Sequence, residues 1–494
     1  MSRAEDEQIF ADWVDRESVA AAMVPIIDSL YRRNNVVTTV HGRRLVGRST
    51  NEILKLHRFA RHIDGRELSP HEILPVLHML AMLRLGPCVV DVADLNAGYR
   101  AQDEDDLETY LRRELEPVVD AGGHSAEPTD VVLYGFGRIG RLVARILLSR
   151  AGGAYGLRVR AIVVRATGPG DLVKRASLLR RDSVHGRFDG TITVDEGAGT
   201  ITANGTVIRV IAADDPTAVD YTEYGIHRAI LVDNTGARRD RAGLSEHLRA
   251  QGIARVLLTA PAKGDVPNIV HGVNDTEIGD AEIIAAASCT TNAATPVLVA
   301  IDRRFGIEHG HIETVHSFTN DQNLTDNYHR AGRRGRSAAL NMVIAETGAA
   351  RAVAKAYPPL AGRLTGNAIR VPTPNVSIAV LTLTLRSPTD KQSLNAFLRD
   401  ISLHSALQRQ IDFVDSPEIV SSDFLGARKA GVVDGLATIA DGSERCVVYV
   451  WYDNEYGYSR QVVRVLESMA GGTLPSFPNV AADIRRAEWE AVRS

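Results

Sequence analysis

The sequence predicts an α/β protein with a doubly wound parallel sheet, a second domain built on a mixed sheet, and a small all-helical extension in front of both. Residues before 128 show apolar side chains at three- and four-residue intervals, a glycine-rich turn at Gly135–Gly140 joins a buried strand to a helix, and long β-rich runs follow Cys289. We therefore expect an extension at 1–127, a dinucleotide-binding domain at 128–288, and a catalytic domain at 289–453.

The composition sets limits on the class of protein. A chain of 494 residues, 44% of them hydrophobic, has room for two or three domains with sizeable cores. A formal net charge of only −4 argues against nucleic acid or an anionic membrane as the main partner. Cys88, Cys289 and Cys446 are spaced neither as metal ligands nor as a disulfide framework. The acidic N-terminus lacks the pattern of a signal peptide, so we expect a soluble cytoplasmic protein without a metal site.

The extension is predicted to be helical because its apolar residues recur with helical spacing and no strong alternating run interrupts them. A basic segment that includes Arg43, Arg44 and Arg58 lies between the helices. It is suited to an anion or an acidic partner surface, although a solvated charged face is the favoured interpretation. A linker is expected at 121–129. The predicted helices are Val19–Leu30, Glu52–Ile63, Ser69–Leu85 and Asp105–Val119.

The pattern changes at Asp130 to alternating strands and helices. Val131–Tyr134 is a buried strand, Gly135–Gly140 a tight turn, and Arg141–Leu148 a helix. A G-x-G-x-x-G turn is weak evidence alone, but this position between a strand and a helix is the context that dinucleotide binding requires. Its glycines let the backbone approach a pyrophosphate at the helix N-terminus. Further strands are predicted at Arg158–Val164, Arg228–Val232 and Arg255–Leu258.

Cys289 is the strongest candidate for a catalytic residue. A buried extended segment leads into it and a helix follows, so its thiolate is expected to be stabilised by free helix-start N–H groups. A small buried hydrophobe is the plainer interpretation of a cysteine. His316 stands at the end of a β-branched run, where it can face the cysteine and, as an imidazolium, stabilise the thiolate. Together the two residues favour chemistry over packing.

Six motifs in one order resemble the glyceraldehyde-3-phosphate dehydrogenase family. The resemblance covers residues 128–494 and leaves the extension outside it. The motifs are GFGRIGR at Gly135–Arg141, DSVHG at Asp182–Gly186, SCTTN at Ser288–Asn292, HSFTNDQ at His316–Gln322, RVPTPNVS at Arg370–Ser377 and WYDNEYGYS at Trp451–Ser459.

The resemblance implies a reaction in which Cys289 attacks the aldehyde carbon of glyceraldehyde 3-phosphate and His316 moves the protons. A hydride passes to the nicotinamide of NAD or NADP, and inorganic phosphate cleaves the resulting thioester to give 1,3-bisphosphoglycerate. The resemblance assigns the substrate phosphate to Thr319, Asp321 and Arg370, and the attacking phosphate to Ser288, Thr290, Thr347 and Gly348. It also implies a homotetramer, and it implies that residues 454–494 return to complete the dinucleotide-binding domain.

The cofactor residues that the resemblance implies include two departures from NAD-preferring members. The acid that ends the second strand in those members is replaced by Arg165-Ala166-Thr167, and their Leu-Pro pair is replaced by Asn327-Tyr328. Arg165 and Thr167 are suited to a 2′-phosphate, so NADP is expected ahead of NAD. The expected cofactor-binding residues are Gly135, Gly137, Arg138, Ile139, Gly140, Arg165, Thr167, Thr259, Asn327, Asn454 and Tyr458.

Two alternatives stay open at this point. Erythrose-4-phosphate dehydrogenase is a relative that shares the Cys/His pair, and Tyr328 is a feature of that enzyme as well. Thr319 and Thr347 favour the phosphorylating enzyme of glyceraldehyde 3-phosphate. A non-catalytic regulatory protein on the same fold is the second alternative, against which the combination of Cys289, His316 and Arg370 argues.

Overall fold

The structure is a computed structural model that describes residues 3–102, 106–122, 127–149, 156–165, 168–471 and 474–478. The helices of the described residues, α1 to α13, are Arg3–Asn34, Thr50–Phe59, Arg61–Asp64, Pro70–Met82, Val92–Arg100, Leu107–Glu114, Arg138–Leu148, Asp171–Arg180, Arg241–Leu248, Cys289–Phe305, Ala349–Ala356, Lys391–His404 and Tyr456–Met469. Short 3₁₀ turns connect several of them. None of these helices is long and apolar enough to cross a lipid bilayer.

The strands of the described residues form three larger sheets and one small hairpin. In chain order, β1 to β22 are Val36–Val40, Arg43–Arg44, Cys88–Asp91, Thr129–Tyr134, Leu157–Val164, Arg181–Asp182, Gly186–Arg187, Ile192–Asp195, Thr200–Ala203, Thr206–Ala212, Ala229–Asp233, Ile253–Leu258, Ile283–Ala285, Ile307–Ser317, Val343–Glu346, Leu364–Val371, Ser377–Leu385, Ile411–Val414, Gly431–Asp434, Ile439–Ala440, Arg445–Tyr452 and Ser476–Phe477.

The described residues divide into two units, and the first of them holds residues up to 128 with the segment 474–478. The prediction of an all-helical extension is wrong for this unit. Besides α1 to α6 it contains a four-stranded sheet in the order β2-β1-β3-β22. β1 and β22 each pair in parallel with β3. The predicted helices are present, whereas four residues of the expected linker, 123–126, lie outside the described residues.

The two longer missed strands, β1 and β3, show no alternation because every one of their residues is inside the protein. All five residues of β1 and all four of β3 are buried. A strand that is buried throughout lacks the period-two pattern, and a run of four or five buried residues cannot be told by its periodicity from a piece of buried helix. β22 adds a strand from the far end of the chain, which local sequence cannot indicate.

A buried histidine follows β1 and lies among three carboxylates. His41 Nε2 is 2.8 Å from Asp64 Oδ2, and its Nδ1 is 3.3 Å from Asp94 Oδ1. Burial lowers the pKa of His41, but the hydrogen bond with Asp94 and the charges of Asp91, Asp64 and Asp94 outweigh it and raise the pKa to about 9. The imidazole is therefore charged at neutral pH, and it ties the turn after β1 to α3 and α5.

The second unit, residues 129–149 and 158–471, contains the two eight-stranded sheets. The first has the order β13-β12-β11-β4-β5-β10-β9-β8. β13, β12, β11 and β4 are parallel neighbours, and β10 is parallel to β5. The predicted doubly wound parallel sheet is confirmed. α7 begins directly after the glycine turn that follows β4, and α13 packs against α7.

The second sheet is mixed, as predicted, with the order β15-β16-β14-β17-β21-β19-β18 and β20 paired to β21. β14 is parallel to β16 and antiparallel to β17. α10 packs on β17, β19 and β21 with an almost continuous buried surface from Thr290 to Ile301. α10 therefore connects the end of the parallel sheet to the mixed sheet, and its first residue is Cys289.

The charged state of His41 gives the first unit a stability that depends on pH. Because the folded pKa is raised, the contribution is complete below the unfolded value near 6.5 and disappears as the pH rises through about 9. A shift of this size corresponds to ~3 kcal/mol. We expect His41→Gln to reduce the hydrogen-exchange protection of β1 and β3 amides by up to roughly 100-fold at pH 6, and hardly at all at pH 10. His71→Gln, at an exposed histidine, is the control; equal protection of His41→Gln and wild type at pH 6 would contradict the prediction.

Candidate active site

Cys289 lies at the carboxyl edge of the parallel sheet, four residues after the last residue of β13. Ser288 caps α10 by accepting a hydrogen bond from the Thr291 N–H at 3.1 Å. The Asn292 amide donates to the carbonyl oxygens of Ala286 and Ser288, at 2.8 and 2.9 Å, which fixes the turn before the helix. The cysteine is therefore held by the first turn of a capped helix at the edge where ligands of α/β sheets bind.

His316 faces the cysteine from the end of β14. Its Nε2 is 3.5 Å from Cys289 Sγ. In the parallel register of β14 and β16, His316 stands opposite Arg370, and Arg370 Nη1 comes within 2.7 Å of His316 Nδ1. Register thus brings together three residues that the sequence separates widely.

His316 Nδ1 has two partners that require different tautomers. The Ser317 carbonyl oxygen, at 2.7 Å, accepts from an Nδ1–H, which leaves the Nε2 lone pair to take a proton from the Cys289 thiol. With the proton on Nε2 instead, Nδ1 accepts from Arg370 and Nε2–H faces the Cys289 sulfur. The surroundings therefore suit both tautomers of the neutral imidazole, and the Nδ1–H tautomer is the one that leaves Nε2 free to take the thiol proton.

Desolvation dominates the electrostatics of the pair. Burial raises the pKa of the Cys289 thiol, although the Arg370 charge and hydrogen bonds with Thr290 oppose it. Burial and the Arg370 charge lower the pKa of His316 to about 3, against the hydrogen bond to Ser317 and the charge of Asp321. Before ligands bind, the pair is a neutral thiol beside a neutral imidazole. The expectation of a resting thiolate stabilised by an imidazolium is wrong for this state.

The loop after β14 carries Thr319 and Asp321 together with Arg334. Thr319 donates to Asp321, and Asp321 pairs with Arg334. Burial raises the pKa of Asp321, but the Thr319 hydrogen bond and the charges of Arg334 and Arg370 outweigh it, so its pKa is lowered. A carboxylate repels phosphate, so Asp321 holds Thr319 and Arg334 in place rather than binding an anion itself.

The residues assigned to the attacking phosphate lie on two elements. Ser288 and Thr290 open α10, and the Thr290 hydroxyl is 2.9 Å from the Tyr452 hydroxyl. Thr347 and Gly348 join β15 to α11, where Thr347 Oγ1 accepts from the Ala349 N–H at 3.2 Å. β15 pairs with β16, the strand of Arg370, and α11 packs against α10. The pair at the start of α10 and the pair between β15 and α11 are therefore both positioned by elements that pair within or pack on the mixed sheet.

Two cofactor candidates approach Cys289 from the start of α13. Tyr458 donates to the Ala287 carbonyl oxygen at 3.0 Å. Asn454 Oδ1 accepts from Ser377 Oγ at 2.9 Å, which turns its Nδ2 toward other acceptors. Ser377 Oγ also accepts from the Ser317 N–H at 3.1 Å. Ser377 and Tyr452 were missed as positioning residues, although both stand in quoted motifs, because only the packed sheet shows their contacts.

The glycine turn after β4 has the shape that a bound dinucleotide needs. Gly135 has a φ of +88°. A Cβ on Gly140 would lie 2.4 Å from the Gly135 carbonyl oxygen, whereas a Cβ on Gly137 would point into open space. Gly135 and Gly140 are thus required by the turn itself, and Gly137 leaves room at the helix N-terminus for a pyrophosphate. Ile139 lies in the first turn of α7, and Thr259 follows β12 with its hydroxyl 3.1 Å from the Asp233 carbonyl oxygen.

A cleft of about 610 Å³ opens beside this turn. Arg165 lines it as expected, and Thr167 lies outside the described residues. Asp214, after β10, also lines it and was missed, because the prediction looked for an acid only after the second strand. Asn327 lies on an exposed loop and does not line the cleft within the described part of the chain. The charged side chains of the cleft are Arg165, Arg175, Arg238 and Asp214.

The side chain of Arg138 faces carboxylates rather than the cleft. It pairs with Asp182 at 3.2 Å and with Glu455, whose carboxylate also lies 3.1 Å from His185 Nε2. Burial raises the pKa of Asp182, but backbone N–H groups of His185 and Val184 and the Arg138 charge lower it to about 2. The Arg138 guanidinium thus links the glycine turn to the segment that carries Asn454.

A glycine turn for a dinucleotide and a partly buried Cys–His pair near the carboxyl edge of the parallel sheet define a class, the nicotinamide-dependent oxidoreductases that act through a cysteine. Two family profiles match the chain: the NAD binding domain of glyceraldehyde 3-phosphate dehydrogenase at residues 129–241, and its C-terminal domain at residues 288–454. The chain belongs to the glyceraldehyde-3-phosphate dehydrogenase family. The domain built on the sheet that contains β4 and β11 is its nicotinamide-cofactor domain.

Named relatives agree with the profiles. A glyceraldehyde-3-phosphate dehydrogenase-like protein of Pseudomonas aeruginosa is 59% identical over 461 residues, which is 92% of this chain and 100% of the relative. A chloroplastic glyceraldehyde-3-phosphate dehydrogenase of Arabidopsis thaliana is 40% identical over 356 residues, 71% of this chain and 87% of the relative. Glyceraldehyde-3-phosphate dehydrogenase 2 of Synechocystis is 39% identical over 347 residues, 69% of this chain and 98% of the relative. Only the first alignment is long enough to include most of the extension.

The electrostatics of the pair can be tested without substrate. Because burial raises the pKa of Cys289 and Arg370 lowers it, we expect the rate of iodoacetamide alkylation to increase with pH beyond the ordinary cysteine value of about 8.5. Arg370→Leu should move the profile to still higher pH, and Arg370→Lys, which keeps the charge, should leave it close to wild type. Mass spectrometry of the Cys289 peptide against time gives the rate; half-maximal alkylation of the wild type below pH 8 would contradict this account.

Proposed function

We propose that this protein catalyses the reversible phosphorylating oxidation of glyceraldehyde 3-phosphate to 1,3-bisphosphoglycerate, with NADP preferred over NAD. The observation that carries the proposal is the contact of 3.5 Å between Cys289 Sγ and His316 Nε2, with Arg370 beside it. The family membership supports the reaction class, and the Arg370 and Arg334 guanidiniums at the proposed site for the substrate phosphate support a phosphorylated aldehyde.

In the proposed reaction, the neutral pair starts the chemistry. His316 Nε2 takes the thiol proton while Cys289 Sγ forms a bond to the aldehyde carbon, and the proton then goes to the carbonyl oxygen to give a hemithioacetal on the sulfur. A bound nicotinamide cofactor would supply the hydride acceptor for that carbon, and His316 takes the hydroxyl proton as the thioester forms on Cys289. Inorganic phosphate attacks the thioester, the C–S bond breaks, and the thiolate recovers its proton from His316.

Arg370 has two functions in this proposal. As the charge closest to the pair, it lowers the pKa of the thiol and of the imidazole. It is also the group suited to the substrate phosphate, because a guanidinium pairs with phosphate through two parallel hydrogen bonds. Thr319 and Arg334, held by Asp321, complete that site in the proposal. Ser288, Thr290, Thr347 and Gly348 would receive the attacking phosphate.

Kinetics of two variants test the mechanism. We expect Cys289→Ser to abolish cofactor reduction, and His316→Asn to slow it by about 10²–10⁴ because a positioned general base is lost. Cofactor binding should survive in both, which fluorescence titration checks. Wild-type initial rates with glyceraldehyde 3-phosphate should depend on inorganic phosphate. Faster, phosphate-independent turnover of erythrose 4-phosphate would assign the alternative dehydrogenase, and the absence of any turnover would favour a regulatory protein.

The charged side chains that line the cleft beside the glycine turn support the proposed preference for NADP. Arg175 pairs with Asp171 and Arg238 pairs with Glu246, both at 2.7 Å. Within the described residues, the Arg165 guanidinium makes no hydrogen bond or ion pair and lines the cleft. It is therefore the group best able to accept a 2′-phosphate. Asp214 is the opposing feature, since its carboxylate suits ribose hydroxyls and repels a phosphate.

Substitutions at these two residues should have opposite effects on cofactor choice. Arg165→Asp should shift the ratio of kcat/KM values toward NAD by at least tenfold, because an attraction is lost and a repulsion is added. Asp214→Asn should shift it toward NADP. Arg181→Asp, an exposed arginine of β6 that does not line the cleft, is the matched control. The NADP preference of the wild type should weaken with salt; a wild type at least as efficient with NAD would contradict the assignment.

We also propose a domain organisation, an assembly and a compartment for this protein. The domains proposed are the extension at 1–127, a cofactor domain at 128–288 completed by 454–494, and a catalytic domain at 289–453. A homotetramer in the cytoplasm is the assembly and compartment that fit this family.

A further inference from the structure

The parallel sheet of the second unit has another cleft, at the edge opposite the glycine turn. Its volume is about 470 Å³, which is within the range of small-molecule sites. Its walls come from the first residues of β5, from β9 and β10, and from the 3₁₀ turn that precedes β11. The polar and aromatic side chains that line it are Arg158, Arg160, Thr200, Thr206, Arg209 and Tyr224.

This cleft is separate from the cofactor cleft, although β5 reaches both. Arg158 and Arg160 stand near the amino end of β5, whereas Val164 and Arg165, at its carboxyl end, line the cofactor cleft. Five residues of extended chain between Arg160 and Arg165 span about 16 Å. Among the described residues, none lines both clefts. A ligand of the amino edge therefore leaves the cofactor cleft open.

The cleft has an excess of positive charge. Three guanidiniums and no carboxylate line it within the described part of the chain. Asp130, a buried residue of β4, pairs with two of them: its Oδ1 lies 2.9 Å from Arg158 Nη2 and its Oδ2 3.2 Å from Arg160 Nη1. Arg209 donates to the Ala198 carbonyl oxygen and lies over the Tyr224 ring, 5.6 Å from its centroid. One carboxylate cannot neutralise three cations, so the cleft favours an anion.

The guanidiniums are held in place and still have donors to offer. Arg160 is fixed by Asp130 and by the Tyr224 carbonyl oxygen, at 3.2 Å from each. Within the described residues, Arg158 Nη1, Arg160 Nε, and Nε and Nη2 of Arg209 make no hydrogen bond. A phosphate group has oxygens on several sides and can accept from more than one guanidinium, whereas a carboxylate has two oxygens in one plane. The donor set therefore suits phosphate.

We propose that this cleft binds a phosphorylated small molecule that carries a diphosphate group. A diphosphate has enough negative charge to match the excess of guanidiniums, and the hydroxyls of Thr200 and Thr206 add neutral donors. Cys289 follows the carboxyl end of β13, at the other edge of the sheet, so a molecule bound here is an effector rather than a substrate. The inference does not depend on the proposed function.

Two sources of a diphosphate fit this chemistry, an inorganic one and a nucleotide. Tyr224 is half-buried and, with the buried Ile226, gives the cleft an apolar wall that a nucleotide base can contact. Inorganic pyrophosphate has no group for this wall. Pyrophosphate and ADP are therefore the two probes, and a comparison of their binding distinguishes the two sources.

Hydrogen exchange followed by mass spectrometry locates the bound anion in the full-length protein. The protein is first saturated with NADP, and in a parallel series with NAD, so that neither probe can occupy the cofactor cleft. Pyrophosphate should then slow exchange in peptides that cover 200–210, because they carry the β9–β10 turn and Arg209. Peptides that cover Asp214 and the glycine turn should not change. Protection confined to peptides around Cys289 would place the anion in the active site and overturn the proposal.

Substitutions at Arg209 test the charge. Arg209→Gln should raise the pyrophosphate concentration for half-maximal protection by about tenfold or more, because a charge-assisted contact is lost. Arg209→Lys, which keeps the charge, should raise it less. Arg187→Gln, at an exposed arginine of β7 that does not line the cleft, is the matched control and should behave as wild type. Arg209 forms no ion pair within the described residues, so the variants should fold, which circular dichroism checks.

The ADP series identifies the source of the diphosphate. Half-maximal protection by ADP at a lower concentration than by pyrophosphate would support a nucleotide, and the reverse order would support an inorganic diphosphate. Either order supports the site, provided that Arg209→Gln weakens the effect. If neither probe protects 200–210, or if Arg209→Gln and wild type respond at the same concentration, the cleft is not a diphosphate site.

Discussion

The desolvation of the Cys289–His316 pair is the constraint on which the rest of the active site depends. Burial raises the pKa of the thiol and lowers that of the imidazole, so proton transfer within the pair creates two charges in a poorly solvated place. The groups around the pair offset this cost. The Ser317 carbonyl oxygen and Arg370 hydrogen-bond to the two tautomers of the imidazole, and the start of α10 supplies N–H groups to the sulfur. The site is arranged for a charge that exists only during the reaction, as electrostatic preorganisation requires.

The carboxyl edge of the parallel sheet explains why the two halves of the site meet. β4 leads into the glycine turn, and β13, further along the same sheet, leads into Cys289. Arg138 connects these halves through Glu455, which lies beside Asn454 at the start of α13. A buried ion-pair network of this kind adds little net stability, because desolvation offsets the attraction. What it provides is a fixed position for the glycine turn relative to the segment of Asn454 and Tyr458.

The extension has a hydrophobic core and a sheet of its own. Its sheet is completed by β22, so the two ends of the chain fold together there. His41 pairs with Asp64 and Asp94, and these contacts link the turn after β1 to α3 and α5. The exposed aromatic residues of α1 show that folding of the unit does not use all of its apolar surface, which is the ordinary sign of an interface.

The sequence by itself determined the order of strands and helices in the second unit, the glycine turn, the helix start at Cys289 and the partnership of Cys289 with His316, because each rests on local periodicity or on a motif. Tertiary structure decided the rest. The strands of the extension lacked a period because both their faces are buried, and Asp214 joined the cofactor cleft from a strand that is adjacent only in space. The protonation state of the pair could not be predicted from the sequence either. A helix start favours a thiolate, but the packing that shields Cys289 from water and raises its pKa exists only in the folded protein.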